Sequence, residues 1–378
     1  MIYFNQPLIN KNFLKDVNKV LKINKSLNYN FFQKTLKSIV KEKFNFKNVL
    51  FTNSCTSGLE ITALLLKHIK QRGNIVMPSY NYPTTASSFI RAGFDIKFID
   101  IEGNNLMPSF DQYKRAINKN TVALLVTHYA GLSVEYLDKI KSFCKRKNFF
   151  LIEDSAQGLD SYHNGRPLGS FGDFSSFSFH ETKNIHSVTG GMLIIKNKKN
   201  YKFAKLILDR GTDRSKVISG RKNKYEWVTI GSAFNMTEIQ AAMLYNQIKN
   251  LKKIKLKRKK IYNYYIKNFK KYDLLNKFYF NNINNDKNYH CLYIIFKKNI
   301  RNLAINFLKK KKIETYVGYS PLHNSFFYKK IKNINLIKTE VISNRVLRLP
   351  MHYYLKQKDI ETICKNLKFF FQKLKIEH

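Results

Sequence analysis

The chain has 378 residues, 44% of them hydrophobic, with 68 Lys and Arg against 25 Asp and Glu for a formal charge of +43. Such a length exceeds one small core and suits two domains, and the apolar content excludes a wholly disordered chain. The charge alone points to nucleic acid, yet Lys is scattered through almost every segment beside abundant Asn, Ile, Phe and Tyr, so it reads as solvated surface and not as a concentrated binding face.

The first sixteen residues, MIYFNQPLINKNFLKD, lack a basic segment followed by an uninterrupted apolar run, so no signal peptide is expected. From about residue 49 to 196, short apolar runs alternate with helical patterns, which predicts a mostly parallel sheet. The expected strands are 49–52, 75–77, 96–99, 122–127, 149–153, 174–178 and 192–196. A helix is expected over 57–72, opened by a Ser57/Glu60 capping box, and another over 133–147. Thr237 and Gln240 repeat the capping-box form and open a long helix that runs into the Lys-rich stretch 252–260. The second dense run, 309–312, also falls in a helical pattern, where long basic side chains make a solvated face.

The remainder reads as a separate α+β unit, with a strand near 291–296, a helix near 302–311 and a last helix from Asp359; the polar stretch 281–288 reads as an exposed loop. The division expected is a large domain over 1–250 and a small one over 251–378. No apolar stretch approaches the ~18 residues needed to cross a bilayer, so no membrane partner is expected. Cys55, Cys144, Cys291 and Cys364 lie far apart without metal-ligand or disulfide-framework spacing, which points to a reducing cytoplasm and no metal.

Three segments could carry chemistry. Asp154 ends the apolar run 149–153, where in an open α/β sheet it faces the ligand crevice; a cationic ring nitrogen would give a buried carboxylate its reason, and capping of the next turn would do so equally well. Lys183 follows a strand rich in Phe and Ser, where desolvation would make its amine a nucleophile toward an aldehyde, although most lysines in so basic a chain are surface charges. Residues 52–58, a run of small hydroxyl residues between strand and helix, could cup a phosphate or simply cap the helix. A phosphate, a basic ring nitrogen and an aldehyde together describe pyridoxal phosphate. The pair Gly190-Gly191 is expected to permit a tight turn into the next strand.

The motifs MPSYNYPTTASSF (77–89), THYAG (127–131), EDSAQG (153–158), FSFHETKN (177–184), RGTDRS (210–215), GSAFNMTEIQAA (231–242) and YSPLH (319–323) occur in an order that resembles the DegT/DnrJ/StrS sugar aminotransferases. The resemblance covers nearly the whole chain. It implies the fold-type I aminotransferase architecture, an α/β large domain with a mostly parallel seven-stranded sheet and a smaller α+β domain. It also implies pyridoxal 5'-phosphate held on Lys183, with Asp154 on the pyridine nitrogen and Gln157 near the ring and its hydroxyl. Thr56 and Ser57 would take the phosphate by their amides and Ser178 by its hydroxyl, while Tyr82 would stack on the ring. Asn235 matches a residue sent into the neighbouring subunit's phosphate site, which implies a homodimer with shared active sites. Arg210, Arg214, Tyr319 and His323 are candidates for gripping the donor carboxylate or the sugar nucleotide.

FHETKN, RGTDRS and KYEW (224–227) place the resemblance nearest the branch that moves an amino group from glutamate to C4 of dTDP-4-keto-6-deoxyglucose, giving dTDP-4-amino-4,6-dideoxygalactose for polysaccharide of the enterobacterial common antigen type. A UDP- or GDP-linked keto sugar is the alternative substrate. Thr189 departs from the family, which has an acidic residue there, and Gly-Gly-Met stands where Gly-Gly-Ala is usual. A dehydratase subgroup carries His in place of the lysine, so Lys183 disfavours that chemistry.

Overall fold

The computed structural model describes residues 1–9, 11–22 and 31–376. Its larger sheet begins with β1 (Val49–Thr52), β2 (Asn74–Pro78), β3 (Asp95–Ile99), β4 (Thr121–Thr127) and β5 (Phe150–Asp154). A two-stranded ribbon follows, β6 (Tyr162–His163) and β7 (Arg166–Pro167), and then the sheet resumes with β8 (Phe174–Ser178) and β9 (Gly191–Ile195). The strand order is β1-β9-β8-β5-β4-β2-β3, parallel from β8 through β3, with β9 antiparallel to both neighbours. All seven expected strands are present, displaced by a residue at most ends. Continuous burial along β4 explains its unbroken apolar run, because a central parallel strand is covered by helices on both faces.

A second sheet is built by β10 (Phe278–Phe280), β11 (Leu292–Phe296), β12 (Tyr316–Val317) and β13 (Val346–Leu349), antiparallel in the order β10-β11-β13-β12. The helices Leu251–Lys271 and Gln357–Ile376 pack on each other beside it. One apolar cluster runs from Val76 and Val126 of the larger sheet to Leu292 and Leu347 of the smaller. The amino terminus reaches the segment before β12, where Ile2 forms an isolated parallel bridge with Ile313.

Four local expectations change. The first helix of the sheet unit spans Cys55–Lys70 and is capped by Ser54, whose Oγ accepts from Ser57 N at 3.0 Å, so Ser57 lies inside the first turn and not at the cap. The helix expected from 133 begins at Leu137, because Val134 is drawn into the core and Ser133 Oγ donates to the Val134 carbonyl. The long helix opened by Thr237 has its capping box but breaks into Glu238–Lys249 and Leu251–Lys271 at Asn250, whose side chain takes the Asn246 carbonyl. The loop 281–288 is exposed only in the middle: Asn281 and Asn288 at its ends are buried, each satisfying backbone groups of neighbouring segments.

Gly191 earns its place by proximity, not by a special dihedral, since neither it nor Gly190 has positive φ. A Cβ on Gly191 would collide with the Ser54 carbonyl and Cys55 N, and one on Gly58 would collide with Ser176 Oγ. These two absences let β8, β9 and the start of helix Cys55–Lys70 close on one another.

Candidate active site

The carboxyl ends of β5 and β8 carry Asp154 and Ser178, and the helix Cys55–Lys70 starts beside them. Between them lies a cleft of about 370 Å³ lined by Thr56, Tyr82, Asp154, Ser178, Lys183 and Tyr319, with Cys55, Thr84, Thr85 and Thr189. An amine, a carboxylate and a helix N-terminus from three distant chain segments therefore face one space.

Asp154 is 4% exposed. Its Oδ2 accepts from Thr85 Oγ1 at 2.8 Å and its Oδ1 from Ala156 N at 3.1 Å. Burial nevertheless pushes this carboxyl above the usual range, and the Thr85 hydroxyl, the Ala156 amide and the Lys183 charge only partly oppose it. The Lys183 amine is held below the ordinary lysine range, first by burial and then by the charge of Arg348. Behind Asp154, Glu153 is fully buried: its oxygens accept from Gly169 N, Phe171 N, Gly172 N and Ser175 Oγ, and it pairs with His128 Nε2 at 2.9 Å. Burial raises the Glu153 carboxyl, but His128 and the Gly172 and Gly169 amides bring it net below its ordinary value. This buried acid was not singled out from sequence, although it directly precedes Asp154.

Helix Cys55–Lys70 leads with the amides of Cys55 and Thr56, whereas that of Ser57 donates to Ser54 Oγ. Ser57 Oγ bonds Asn53 and Ser54, so Ser57 shapes the turn and does not line the cleft. Thr56 Oγ1 donates to Thr84 Oγ1 at 2.9 Å. The Cys55 thiol, pushed up to about 12 by burial and the Asp154 charge, is no thiolate nucleophile at neutral pH. Tyr82 is 55% exposed at the rim. Gln157 sits just behind, accepting from Ala130 N at 2.6 Å and donating to the Tyr319 hydroxyl at 2.7 Å. With Ser178 and Lys183 it lines a smaller adjoining space.

The other expected residues lie elsewhere. Asn235 bridges Thr52 and donates to the Leu208 carbonyl at 3.4 Å. Arg210 is exposed and pairs with Asp209; Arg214 is exposed at the start of a short helix. His323 is fully buried, bonded to Ser79 Oγ at 2.6 Å and Glu340 at 3.0 Å, and thus ties the 319–324 segment to the end of β2. None of these four lines the cleft of its own chain. Thr85 and Asn288 enter the site unannounced: Thr85 lies within the 77–89 motif, whereas nothing in 281–288 signalled that Asn288 would bond the Gln157 carbonyl.

The model of the DegT/DnrJ/EryC1/StrS aminotransferase family matches residues 7–368. The chain belongs to this family. Among curated relatives, the UDP-4-amino-4,6-dideoxy-N-acetyl-beta-L-altrosamine transaminase of Campylobacter jejuni is 26% identical over 339 residues, covering 88% of each chain. Its namesake from Helicobacter pylori is 25% identical over 383 residues, covering 99% of each. Of solved structures, Helicobacter pylori PseC, an aminotransferase involved in pseudoaminic acid biosynthesis, superposes with a TM-score of 0.90 at 23% identity, over 98% of this chain and 99% of that one. The putative sugar aminotransferase Spr1654 of Streptococcus pneumoniae in its PMP form gives 0.88 at 23%, over 100% and 99%. These structural matches show the fold, an aminotransferase α/β architecture with the larger sheet mostly parallel.

This aminotransferase family implies pyridoxal phosphate, and the residues present fit it. A buried carboxyl raised by desolvation has room beside it for a ring cation, the helix start supplies uncapped amides for a phosphate, and Lys183 offers an amine of lowered pKa toward the same space. Among the described residues no group of three or more His, Cys, Asp and Glu could hold a metal ion, and no helix is long and apolar enough to cross a membrane.

Proposed function

We propose that this aminotransferase moves the amino group of glutamate to a nucleotide-linked 4-keto-6-deoxy sugar, with pyridoxal phosphate carried on Lys183. The observation that supports it most is the meeting of Lys183, Asp154 and the start of helix Cys55–Lys70 around one cleft. Bound there, the cofactor supplies an aldehyde for the donor amine and an electron-accepting ring. Asp154 would keep the ring nitrogen protonated through a buried opposite charge. Lys183 Nζ, with its depressed pKa, would take the proton from the donor's α-carbon and give a proton back in the second half of the cycle. Thr56, Cys55 and Ser178 would hold the phosphate, and Tyr82 would cover the ring.

The motifs of the sequence favour the dTDP-linked sugar, with polysaccharide of the enterobacterial common antigen type as the destination; the named Campylobacter and Helicobacter relatives favour a UDP-linked one. We read the unit 1–250 as the cofactor-binding domain and 251–378 as the smaller domain that completes the cleft through Tyr319. A homodimer with shared sites would account for Asn235, Arg210 and Arg214 lying off their own chain's cleft. It would also cover the exposed Ile218, Trp227 and Ile230 of the same loop region. Four free cysteines are in keeping with work in the cytoplasm.

The decisive experiment offers dTDP-, UDP- and GDP-linked 4-keto-6-deoxy sugars with glutamate and follows amination by mass spectrometry. Borohydride-fixed cofactor should be recovered on the peptide containing Lys183. Its recovery on another lysine sinks the assignment.

A further inference from the structure

Behind the cleft lies a much smaller space of about 20 Å³, bordered by Gln157, Ser178, Lys183, Asn184 and His290. Such a volume suits one water molecule or one amine head. Lys183 borders both this space and the cleft. His290 stands two residues before β11 and is 4% exposed. Its backbone is pinned by Arg258 of helix Leu251–Lys271, which donates to the Tyr289 and His290 carbonyls. Its ring is pinned by Asn184, the residue after Lys183, whose Oδ1 lies 3.0 Å from His290 Nδ1.

These contacts place the proton on the ring. Asn184 Nδ2 donates to the Asn288 carbonyl at 2.7 Å, so Oδ1 is the atom turned to His290, and an amide oxygen only accepts. Nδ1 therefore carries the hydrogen. Burial first, then the charges of Lys183, Arg348 and Arg258, hold the imidazole well below its usual range, so the ring is neutral and Nε2 keeps its lone pair. Among the described residues no hydrogen bond reaches Nε2. A neutral acceptor thus stands beside a space of one amine's size, within electrostatic reach of the lysine that the transfer sets free.

We propose that His290 is a positioning residue for Lys183: its Nε2 accepts from Lys183 Nζ while that amine is free of the cofactor, and seats it in the small space beside Gln157 and Ser178. An ammonium donates more strongly than an amine, so the acceptor favours Lys183 once it has taken the donor's α-proton. His290 exchanges no proton itself. The inference rests on the transaminase reading of the cleft and deepens it by naming what steadies the base.

Two variants separate the two nitrogens of the ring. His290→Asn keeps a donor where Nδ1 meets Asn184 and has nothing at the place of Nε2. His290→Gln reaches that place with an amide oxygen and gives up the Asn184 bond. The full chain is loaded with pyridoxamine phosphate, which leaves Lys183 free, and treated with a reagent that acylates only neutral amines. Label on the Lys183 peptide is read by mass spectrometry. His290→Asn should be labelled at least threefold faster than wild type at one mildly alkaline pH, because its ammonium has lost an acceptor. In the pyridoxal form, its single-turnover rate with glutamate should fall about tenfold, as loss of one charge-assisted hydrogen bond implies, with half-saturating glutamate within threefold. His290→Gln should move both readings back toward wild type. The opposite order, with Asn behaving as wild type and Gln impaired, would make His290 only a brace between the second sheet and the Lys183 loop. Wild-type behaviour of both variants would leave the space to water. Either result overturns the proposal. Should neither variant fold, nitrogen-15 spectra of the wild type decide: a bare Nε2 whose signal moves between the pyridoxal and pyridoxamine forms is expected, and a protonated or unmoved Nε2 refutes the contact. If borohydride fixes the cofactor on another lysine, the transaminase assignment falls, while labelling of the cofactor-free chain still judges the contact of His290 with Lys183.

Discussion

Replacing Asp154 by Asn separates the function of this carboxylate from its role in the fold. The side chain is nearly isosteric, and both of its hydrogen bonds can survive: Oδ1 still accepts from Ala156 N, and the Thr85 hydroxyl can turn to accept from the new amide. What disappears is the charge. An opposite charge ~4 Å away at an effective dielectric of ~20 attracts by about 4 kcal/mol. Burial already opposes the ionised form, as its raised pKa shows, so the net loss is smaller than that. Turnover should fall by roughly 10²-fold, at about 1.4 kcal/mol per factor of ten. Stability should move the other way. A carboxyl whose folded pKa lies above its unfolded value subtracts stability once the pH rises past the unfolded value, so at pH 7 the Asp154 charge destabilises the apoprotein. Cofactor-free Asp154→Asn should therefore melt at or above the wild type at pH 7, with the difference fading toward pH 3, while added pyridoxal phosphate should raise its melting temperature less. Single-turnover kinetics with glutamate and calorimetric melts of both forms make the comparison. Turnover within threefold of wild type, or an apoprotein that melts several degrees lower, would refute the reasoning.

Glu153→Gln should unfold the protein more readily, because either amide orientation sets an NH₂ against a backbone donor, Gly169 N on one side or Phe171 N and Gly172 N on the other; a loss of roughly 2–4 kcal/mol is expected for such a buried mismatch and is read by denaturant titration. Since the folded Glu153 pKa lies below its ordinary value, its stabilisation is present above about pH 4.5 and lost as the pH falls through the folded value, so the difference between wild type and Glu153→Gln should shrink in acid. Gly191→Ala should displace the Ser54–Cys55 backbone and weaken cofactor retention at least tenfold, measured by dialysis and absorbance, with little change in helix content by circular dichroism. Trp227→Glu, on the exposed loop, should shift the protein toward monomer in light scattering and reduce turnover along with it; an unaltered mass would remove that loop from the interface.

What could be read from the sequence was whatever is local. Apolar runs such as TVALLVT announce a strand because burial on both faces forbids polar residues, and the Thr237/Gln240 box announces its helix because both partners lie within one turn. The same reasoning misplaced the start of helix Cys55–Lys70, since Ser54 and Ser57 are both credible caps and only the approach of Gly191 against Ser54 decides between them. Lys183 and Asp154 were legible through motifs, but their electrostatics were not, because the burial that lowers one and raises the other is made by residues hundreds of positions apart. Asn288 shows the limit most clearly. Asn288 stands in a run of Asn that looks solvated. It acquires meaning only when the second sheet closes on the first, by bonding the Gln157 carbonyl.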